Sequence, residues 1–280
     1  MIIWLASYPK SGNTWMRLFL KTYLSQGMQK VNLRESINIS KSFVEDKSFP
    51  SDEIIEKCNI NFTNFNEIAK NWETMQDYIN LNNRTNYIKT HNALCTINGN
   101  KFTTEKNTSG AIYIVRDPRD VVISYSNYLG ESIENTIHLM MESDRGEEGE
   151  YKNQRYVRSI LGTWSDNYNS WKSFRSLNFL IIKYEDMLRN PESTFMKVLK
   201  YLEKLGELNV DKEKLSFAIS ETSFQNLQKQ EKISGFKENL SNKPFFRQGL
   251  AGTWKKELRP DFQRKIENKF CNEMEELKYL

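Results

Sequence analysis

Residues 7–15, SYPKSGNTW, contain the residue types of a loop that binds an anion. Gly12 permits backbone conformations in which amides surround an oxyanion, and Thr14 can donate a hydroxyl hydrogen bond. Phosphate-binding loops of the form G-x-x-x-x-G-K-[ST] place lysine directly before the hydroxyl residue. Here Asn13 holds that position and Lys10 lies three residues upstream. The segment is therefore either a tight turn with an exposed lysine or an anion-binding loop whose lysine approaches the anion from a different side than in the usual phosphate-binding loop.

A second anion-binding pattern lies in VRDPRDVVIS, which contains Arg116 and Ser124. Arginine can donate two parallel hydrogen bonds to a phosphate, and serine adds a neutral donor. Two such clusters indicate a ligand with two separate anionic groups. The alternative is a structural ion pair between Arg116 and Asp117, Asp120 or Glu185. Asp117 also resembles a magnesium-binding carboxylate at a strand end, which is typical of ATP-dependent enzymes.

His91, in IKTHNA, is a candidate general base because the ordinary histidine pKa lies near neutral pH. Lys89 beside it would favour the neutral, basic form of the ring. The alternative is a hydrogen-bonded structural histidine. The other histidine, His138, is predicted to lie on a helix surface.

The segment FFRQGLAGTWKKEL, residues 245–258, combines Arg247 with two glycines and with Lys255 and Lys256. It could bind a phosphate through Arg247 and backbone amides. It could equally be a basic loop that precedes the last helix.

The composition is compatible with one soluble domain that spans residues 1–280. A formal charge of +4 does not predict nucleic-acid binding. The three cysteines are far apart and lack metal-ligand spacing, which argues against disulfides and structural zinc. No apolar run is long enough for a membrane span, and MIIWLA lacks the pattern of a signal peptide. We expect a cytoplasmic protein that does not bind membranes.

The elements that position these residues are predicted from apolar runs and periodicity. Strands are predicted at 2–6, 87–90, 111–115 and 179–182, and a loop at 142–150. Helices are predicted at 14–24, 51–58, 64–79, 120–128, 153–175, 191–205, 211–219 and 260–278. This alternation predicts a three-layer α/β fold, with a central parallel sheet flanked by helices and a P-loop-type nucleotide site. Ligands would bind at the carboxyl ends of the strands.

Several segments in this order resemble the cytosolic sulfotransferase family. They are YPKSGNTW, KTH, VRDPRDVVIS, LGTWSDNYNSW, KYEDM, ETSFQ and the F-x-R-x-G-x-x-G-x-W-K pattern of residues 245–255. The resemblance covers about residues 2–257. It implies transfer of a sulfuryl group from 3′-phosphoadenosine 5′-phosphosulfate (PAPS) to a hydroxyl or amine of a small molecule, with release of the 3′,5′-bisphosphate (PAP).

The resemblance also implies roles for individual residues. The 5′-phosphosulfate would be held by Lys10, Ser11, Gly12, Asn13 and Thr14. The adenine would be contacted by Trp15, Tyr184, Thr222 and Phe224. The 3′-phosphate would be bound by Arg116, Ser124, Arg247, Gln248 and Gly249. Catalysis would depend on His91 as general base, Lys10 at the leaving oxygen, Lys89 beside His91, and Ser124 near Lys10; Tyr128 would contact the acceptor.

The sequence departs from the family pattern at several positions. Gln248 replaces a lysine of the 3′-phosphate site, and Asn92-Ala93 replace the Leu-Pro that follows the catalytic histidine. The dimerisation motif of animal members is absent: Arg259-Pro260 stand at its centre. That specific dimer is therefore not expected, and the oligomeric state stays open.

A sulfuryl group carries less charge than a γ-phosphoryl group, so lysine, amides and a helix dipole could stabilise its transfer without a metal. The alternatives are an ATP-dependent kinase of small molecules, which would need Asp117, and a catalytically inactive nucleotide-binding scaffold. The acceptor is not predicted beyond its class, and its pocket is expected to be lined by His91, Tyr128 and parts of segments 25–86, 129–152 and 228–246.

Overall fold

The computed structural model describes residues 1–34, 42–61, 64–143, 146–151, 154–173, 178–239 and 244–280. The strands are β1 (Ile2–Ser7), β2 (Ser42–Val44), β3 (Thr85–Thr90), β4 (Thr96–Ile97), β5 (Asn100–Lys101), β6 (Thr108–Val115), β7 (Gly146–Tyr151), β8 (Gln154–Ile160) and β9 (Asn178–Lys183). The helices are α1 (Asn13–Leu24), α2 (Asp52–Lys57), α3 (Phe65–Lys70), α4 (Trp72–Asn80), α5 (Pro118–Leu129), α6 (Ile133–Met141), α7 (Trp164–Lys172), α8 (Tyr184–Arg189), α9 (Pro191–Lys204), α10 (Lys212–Glu221), α11 (Phe224–Ser234), α12 (Trp254–Glu257), α13 (Pro260–Lys269) and α14 (Cys271–Glu276).

A five-stranded parallel sheet of order β2-β3-β1-β6-β9 forms the centre of the fold. β1 is buried along its whole length, as expected for an apolar run covered on both faces. Trp4 packs into a cluster with α4, α5 and α7, whereas Ile3 and Leu5 pack into a second cluster with α1, α9 and α10. The predicted three-layer α/β fold is confirmed.

The four predicted strands are all present in this sheet, and each precedes a segment rich in polar residues. Since all four are parallel, their carboxyl ends lie at one edge. The loops after β1, β3, β6 and β9 are thereby brought together.

The predictions for residues 142–175 are partly wrong. Residues 146–150, expected in a loop, form β7 together with Tyr151, and residues 154–160, expected in a helix, form β8 of an antiparallel hairpin. Only from Trp164 onward is the predicted helix present, as α7. Residues 144, 145, 153, 174 and 175 of these two predictions lie outside the described part of the chain.

The tail predicted as one helix over 260–278 is two helices, α13 and α14. The break falls at Phe270, which is fully buried and packs on Trp164 at a ring-centroid distance of 5.4 Å. Burial of this ring redirects the chain. Among the helices of the described ranges, none is long and apolar enough to cross a membrane.

Candidate active site

A cavity of about 410 Å³ opens at the carboxyl edge of the sheet. The residues predicted for the site line it, with the exceptions of Ser11 and Thr222. Those that line it are Lys10, Gly12, Asn13, Thr14, Trp15, Lys89, His91, Arg116, Ser124, Tyr128, Tyr184, Phe224, Arg247, Gln248 and Gly249. Residues far apart in the sequence thus share one space whose size suits a small-molecule ligand.

The loop between β1 and α1 has the left-handed turns of a loop that wraps an anion. Lys10 has φ of 66° and Gly12, the N-cap of α1, has φ of 105°. A Cβ on Gly12 would lie 2.7 Å from Cδ2 of Tyr184, so both the backbone and the packing require glycine. The positive end of the α1 dipole therefore faces the cavity.

The Asn13 side chain is directed into the protein. Its Nδ2 donates to the carbonyl of Leu5 at 2.8 Å and to Oγ of Ser7 at 3.3 Å, and its Oδ1 accepts from Nε of Arg17 at 3.1 Å. The residue that replaces the usual loop lysine therefore ties the loop to β1, and its side chain does not act as the neutral donor to a ligand expected from the sequence.

Arg17 is fully buried beneath the cavity and joins α1 to two distant segments. It donates to Oγ1 of Thr14 at 3.0 Å, to Asp46 at 2.7 Å and to both carboxylate oxygens of Glu238, at 3.0 and 2.6 Å. Lys21 and Lys237 also pair with Asp46. These positive groups hold the pKa of Asp46 well below its ordinary range, against the opposing effect of burial.

The Lys10 ammonium lies over two aromatic rings of the cavity wall, 4.3 Å from the Tyr128 centroid and 4.5 Å from the Phe245 centroid. Such contacts stabilise a cation by about 0.5–2 kcal/mol. Lys10 is thus held inside the site, and the alternative of a tight turn with an exposed lysine is wrong.

Arg116 lies at the end of β6 and donates to the carbonyls of Lys10 at 3.3 Å and Leu250 at 3.1 Å. Its guanidinium is 4.3 Å from the Tyr184 ring centroid. Its Nε is buried and has no hydrogen-bond partner among the described residues. No ion pair of Arg116 is present in the described ranges, so the structural ion-pair alternative does not describe this residue.

Asp117 and Asp120 have structural partners. Asp117 accepts from Arg119 at 2.7 Å and caps α5 through the Arg119 N–H, and burial raises the pKa of its carboxyl despite this arginine. Asp120 accepts from the N–H groups of Gly252 at 2.6 Å and Trp254 at 3.1 Å. Asp117 does not line the cavity, which removes the residue on which the ATP-dependent alternative depended.

His91 follows β3 at the base of the cavity. Its Nδ1 is 2.8 Å from the carbonyl oxygen of Ser7. Because a carbonyl can only accept, Nδ1 carries the proton, and Nε2 retains its lone pair with no partner among the described residues. Burial, followed by the charge of Lys89, lowers the pKa of His91 well below its ordinary value. The ring is therefore a neutral base at neutral pH. His138, as predicted, is an exposed residue of α6.

Residues 245–250 and residue 253 of the segment 245–258 also line the cavity. Gly249, with φ of 60°, lies against Phe224: an added Cβ would be 2.2 Å from Cδ2 of that ring. Arg247 and Gln248 both approach Glu257, at 3.8 and 3.1 Å. The segment combines a basic side chain, backbone amides and an aromatic face, and Asp120 fixes its end.

Comparison with known proteins agrees with this geometry. Residues 2–278 match the family model described as a sulfotransferase domain. The chain belongs to the sulfotransferase family. The predicted family and enzyme class are confirmed.

Relatives and solved structures cover nearly the whole chain. Sulfotransferase 1 family member D1 of Mus musculus is 26% identical over 98% of this chain and 83% of its own length, and sulfotransferase 1B1 of Canis lupus familiaris is 24% identical over 90% and 76%. Mouse SULT7A1, solved in complex with PAP, is 21% identical with a TM-score of 0.62, over 98% of this chain and 84% of that one. At that identity the likeness shows the fold.

Two residues predicted for the site of this sulfotransferase do not line the cavity. Thr222 is fully buried and its hydroxyl donates to the carbonyl of Ala218 at 2.7 Å, so its side chain is used within α10. Ser11 is also fully buried, and its Oγ has no hydrogen-bond partner among the described residues. It lies between Lys10 and Gly12 in the loop.

Sequence reasoning placed part of the sulfotransferase cavity wall only within a broad segment, residues 25–86. Five residues of the β2–α2 connection and the first residue of α2 line the cavity: Asp46, Lys47, Ser48, Pro50, Ser51 and Asp52. Val157 and Ser159 of β8 also line it. Val157 and Ser159 were not predicted, since QRYVRSI does not alternate strictly between polar and apolar residues, and nothing in residues 46–52 alone indicates a site.

Proposed function

We propose that this sulfotransferase uses PAPS as its donor and transfers the sulfuryl group to a hydroxyl or amine of a small-molecule acceptor, with release of PAP. PAPS supplies an activated sulfuryl group attached to a phosphate that leaves readily. The observation that carries the proposal is the arrangement of His91, with an Nε2 lone pair, in the same cavity as Lys10 and Arg116. PAP is also the ligand in the solved mouse SULT7A1 structure.

The cavity fits a ligand with two anionic groups and an aromatic base. Oγ of Ser11, in the loop, and Nε of Arg116, at the end of β6, are two of the buried polar atoms that have no hydrogen-bond partner among the described residues. We infer that the loop holds the 5′-phosphosulfate and that Arg116, Ser124, Arg247 and the Gly249 amide hold the 3′-phosphate. Trp15 and Phe224 would enclose the adenine.

Within this proposal His91 acts as the general base. Its Nε2 accepts the proton of the acceptor hydroxyl as the oxygen attacks sulfur, and Ser7 keeps the ring in the required tautomer. The positive charge that develops on the ring is transient, because the surroundings of His91 disfavour it.

Lys10 would stabilise the oxygen that leaves. Its ammonium rests on the rings of Tyr128 and Phe245, between the loop and the acceptor side, so a short movement of a flexible side chain brings it to the transferring group. Ser124 lines the same cavity and is available to pair with Lys10 or the phosphate.

The binding part of the proposal is tested by thermal unfolding with PAP in the absence of magnesium. Ligand at one hundred times its Kd stabilises a protein by about 2.7 kcal/mol. PAP should therefore raise the Tm by several degrees. If ATP with magnesium raises the Tm and PAP does not, the proposal is wrong.

The catalytic part is tested by replacing His91 with alanine. Loss of a general base should reduce kcat by about 10²–10⁴-fold while the Kd for PAP changes little. His138→Ala is the matched control, since His138 is exposed on α6. A His91→Ala variant that loses PAP binding together with activity would instead indicate a structural histidine.

A further inference from the structure

The two ends of the cavity differ in chemistry. One end is aromatic and apolar, with Trp15, Tyr184, Phe224 and Phe246. The other end adjoins His91 and is formed by residues 46–52, Lys89 and β8. We call this part the acceptor end.

The β2–α2 connection lies directly beside the base. The backbone N–H of Phe49 donates to the carbonyl of Lys89 at 2.9 Å, two residues before His91. The helix that begins at Asp52 packs on β8, whose Val157 and Ser159 form the facing wall. A molecule that presents a hydroxyl to Nε2 of His91 must therefore contact these residues.

The acceptor end is mainly polar. Of the six residues that the β2–α2 connection and the first residue of α2 contribute, Pro50 alone is apolar. Lys47 and Asp52 form an ion pair of 2.8 Å with side chains that are 40% and 26% exposed. An apolar ligand over this pair would displace the water bound to the two charged groups. It would offer no hydrogen bonds in place of that water, which is unfavourable.

The same groups can bind a ligand that carries several hydroxyls. Oδ2 of Asp52 and Oγ of Ser48 have no hydrogen-bond partner among the described residues. Ser51 and Ser159 also line this end. A hydroxyl group can donate a hydrogen bond to a carboxylate or a serine oxygen, and it can accept one from an ammonium or a serine hydroxyl.

The charged residues between β2 and the first turn of α2 that line this end are all engaged in ion pairs. Lys47 pairs with Asp52, and Lys237 pairs with Asp46 at 2.6 Å. A ligand with its own net charge would have to displace one of these partners. We propose, on the basis of the function proposed above, that the acceptor is an uncharged polyhydroxylated molecule, a sugar or polyol, and not an apolar alcohol or phenol.

A matched pair of acceptors tests this inference. myo-Inositol and cyclohexanol share a six-carbon ring and differ in the number of hydroxyls. Transfer from PAPS to myo-inositol and to methyl glycosides of glucose, galactose and mannose is measured beside transfer to cyclohexanol and 2-naphthol. We expect kcat/KM for at least one polyol to exceed that of both apolar compounds by tenfold or more, since a site built for hydroxyls discriminates against analogues that lack them.

A variant links the preference to the cavity wall. Asp52→Ala should raise KM for the accepted polyol at least tenfold and leave the PAP-induced rise in Tm unchanged. Asp261→Ala is the matched control, because Asp261 forms a similar ion pair with Arg259 on α13, away from the cavity. It should change neither quantity.

The outcomes separate this inference from the proposed function. If PAP raises the Tm but an apolar alcohol is preferred, or no polyol accepts sulfate, the acceptor class is wrong while PAP binding stands. An Asp52→Ala variant with unchanged KM also overturns the inference. If PAP does not raise the Tm, the proposed function fails first.

Discussion

A backbone carbonyl and the surroundings of His91 hold its ring in the neutral form, which can accept a proton. The Ser7 carbonyl fixes the tautomer, and burial together with Lys89 keeps the ring neutral. Many catalytic histidines instead pair with a carboxylate, which favours the charged ring and raises the pKa. Here the arrangement favours the form that accepts a proton.

The lowered pKa of His91 predicts the pH dependence of activity. A base must be neutral to act, so kcat/KM should stay constant as the pH falls through 6.5, the ordinary histidine value, and decrease only at lower pH. The measurement is a pH profile of kcat/KM between pH 5 and 9. An acidic limb centred at or above 6.5 would contradict the assignment.

The same shift affects stability. Below pH 6.5 the unfolded chain protonates His91 more readily than the folded chain does, so the free energy of unfolding should decrease as the pH falls through this range. Denaturant titrations of wild type and His91→Ala should show a smaller decrease in the variant.

At the scale of elements, buried strands were the most predictable features. β1, β6 and β9 are apolar runs followed by polar clusters, and their parallel pairing brought Lys10, Arg116 and Tyr184 together as expected. The β7–β8 hairpin was missed because GEEGEY is largely polar and QRYVRSI contains no apolar run that would mark a buried strand. The role of Asn13 was also missed, because a side chain directed inward is not visible in a motif.

The hairpin is joined to the catalytic segment at the residues that depart from the family pattern. Oδ1 of Asn92 accepts from the N–H of Ile160 at 2.7 Å, and the N–H of Ala93 donates to the Ile160 carbonyl at 2.7 Å. Proline at position 93 could not make the second bond. These bonds set the distance between His91 and the wall that holds Val157 and Ser159.

Asn92→Ala should loosen this wall. The variant leaves the Ile160 N–H without a partner, which costs about 1–3 kcal/mol. We expect a lower Tm and a KM for the accepted polyol raised several-fold, with the Kd for PAP unchanged. Asn135→Ala on the exposed surface of α6 is the control. An equal increase in Kd for PAP and in KM would show a general loss of structure.

At the scale of the whole molecule, one sheet underlies both parts of the cavity, the part proposed for the nucleotide and the acceptor end. Its two faces are covered by helices from the beginning, middle and end of the chain, and α14 packs with α7 through Glu273 and Ser165. We therefore propose that residues 1–280 form a single domain. Thermal unfolding should show one transition by near- and far-ultraviolet circular dichroism, and PAP should shift it as a unit. Two transitions, only one of which responds to PAP, would contradict this.

Under the proposed function, the buried Arg17 network would couple the binding of the donor thermodynamically to the binding of the acceptor. Arg17 contacts Thr14 in the loop and, on the other side, Asp46 and Glu238 at the cavity wall. If the bound sulfuryl donor already orders these side chains, binding of the sulfuryl acceptor costs less conformational entropy. Each ligand should therefore tighten the binding of the other by the same factor. Calorimetric titration of PAP with and without myo-inositol, and the reverse, should give that common factor, and Arg17→Lys should bring it close to one.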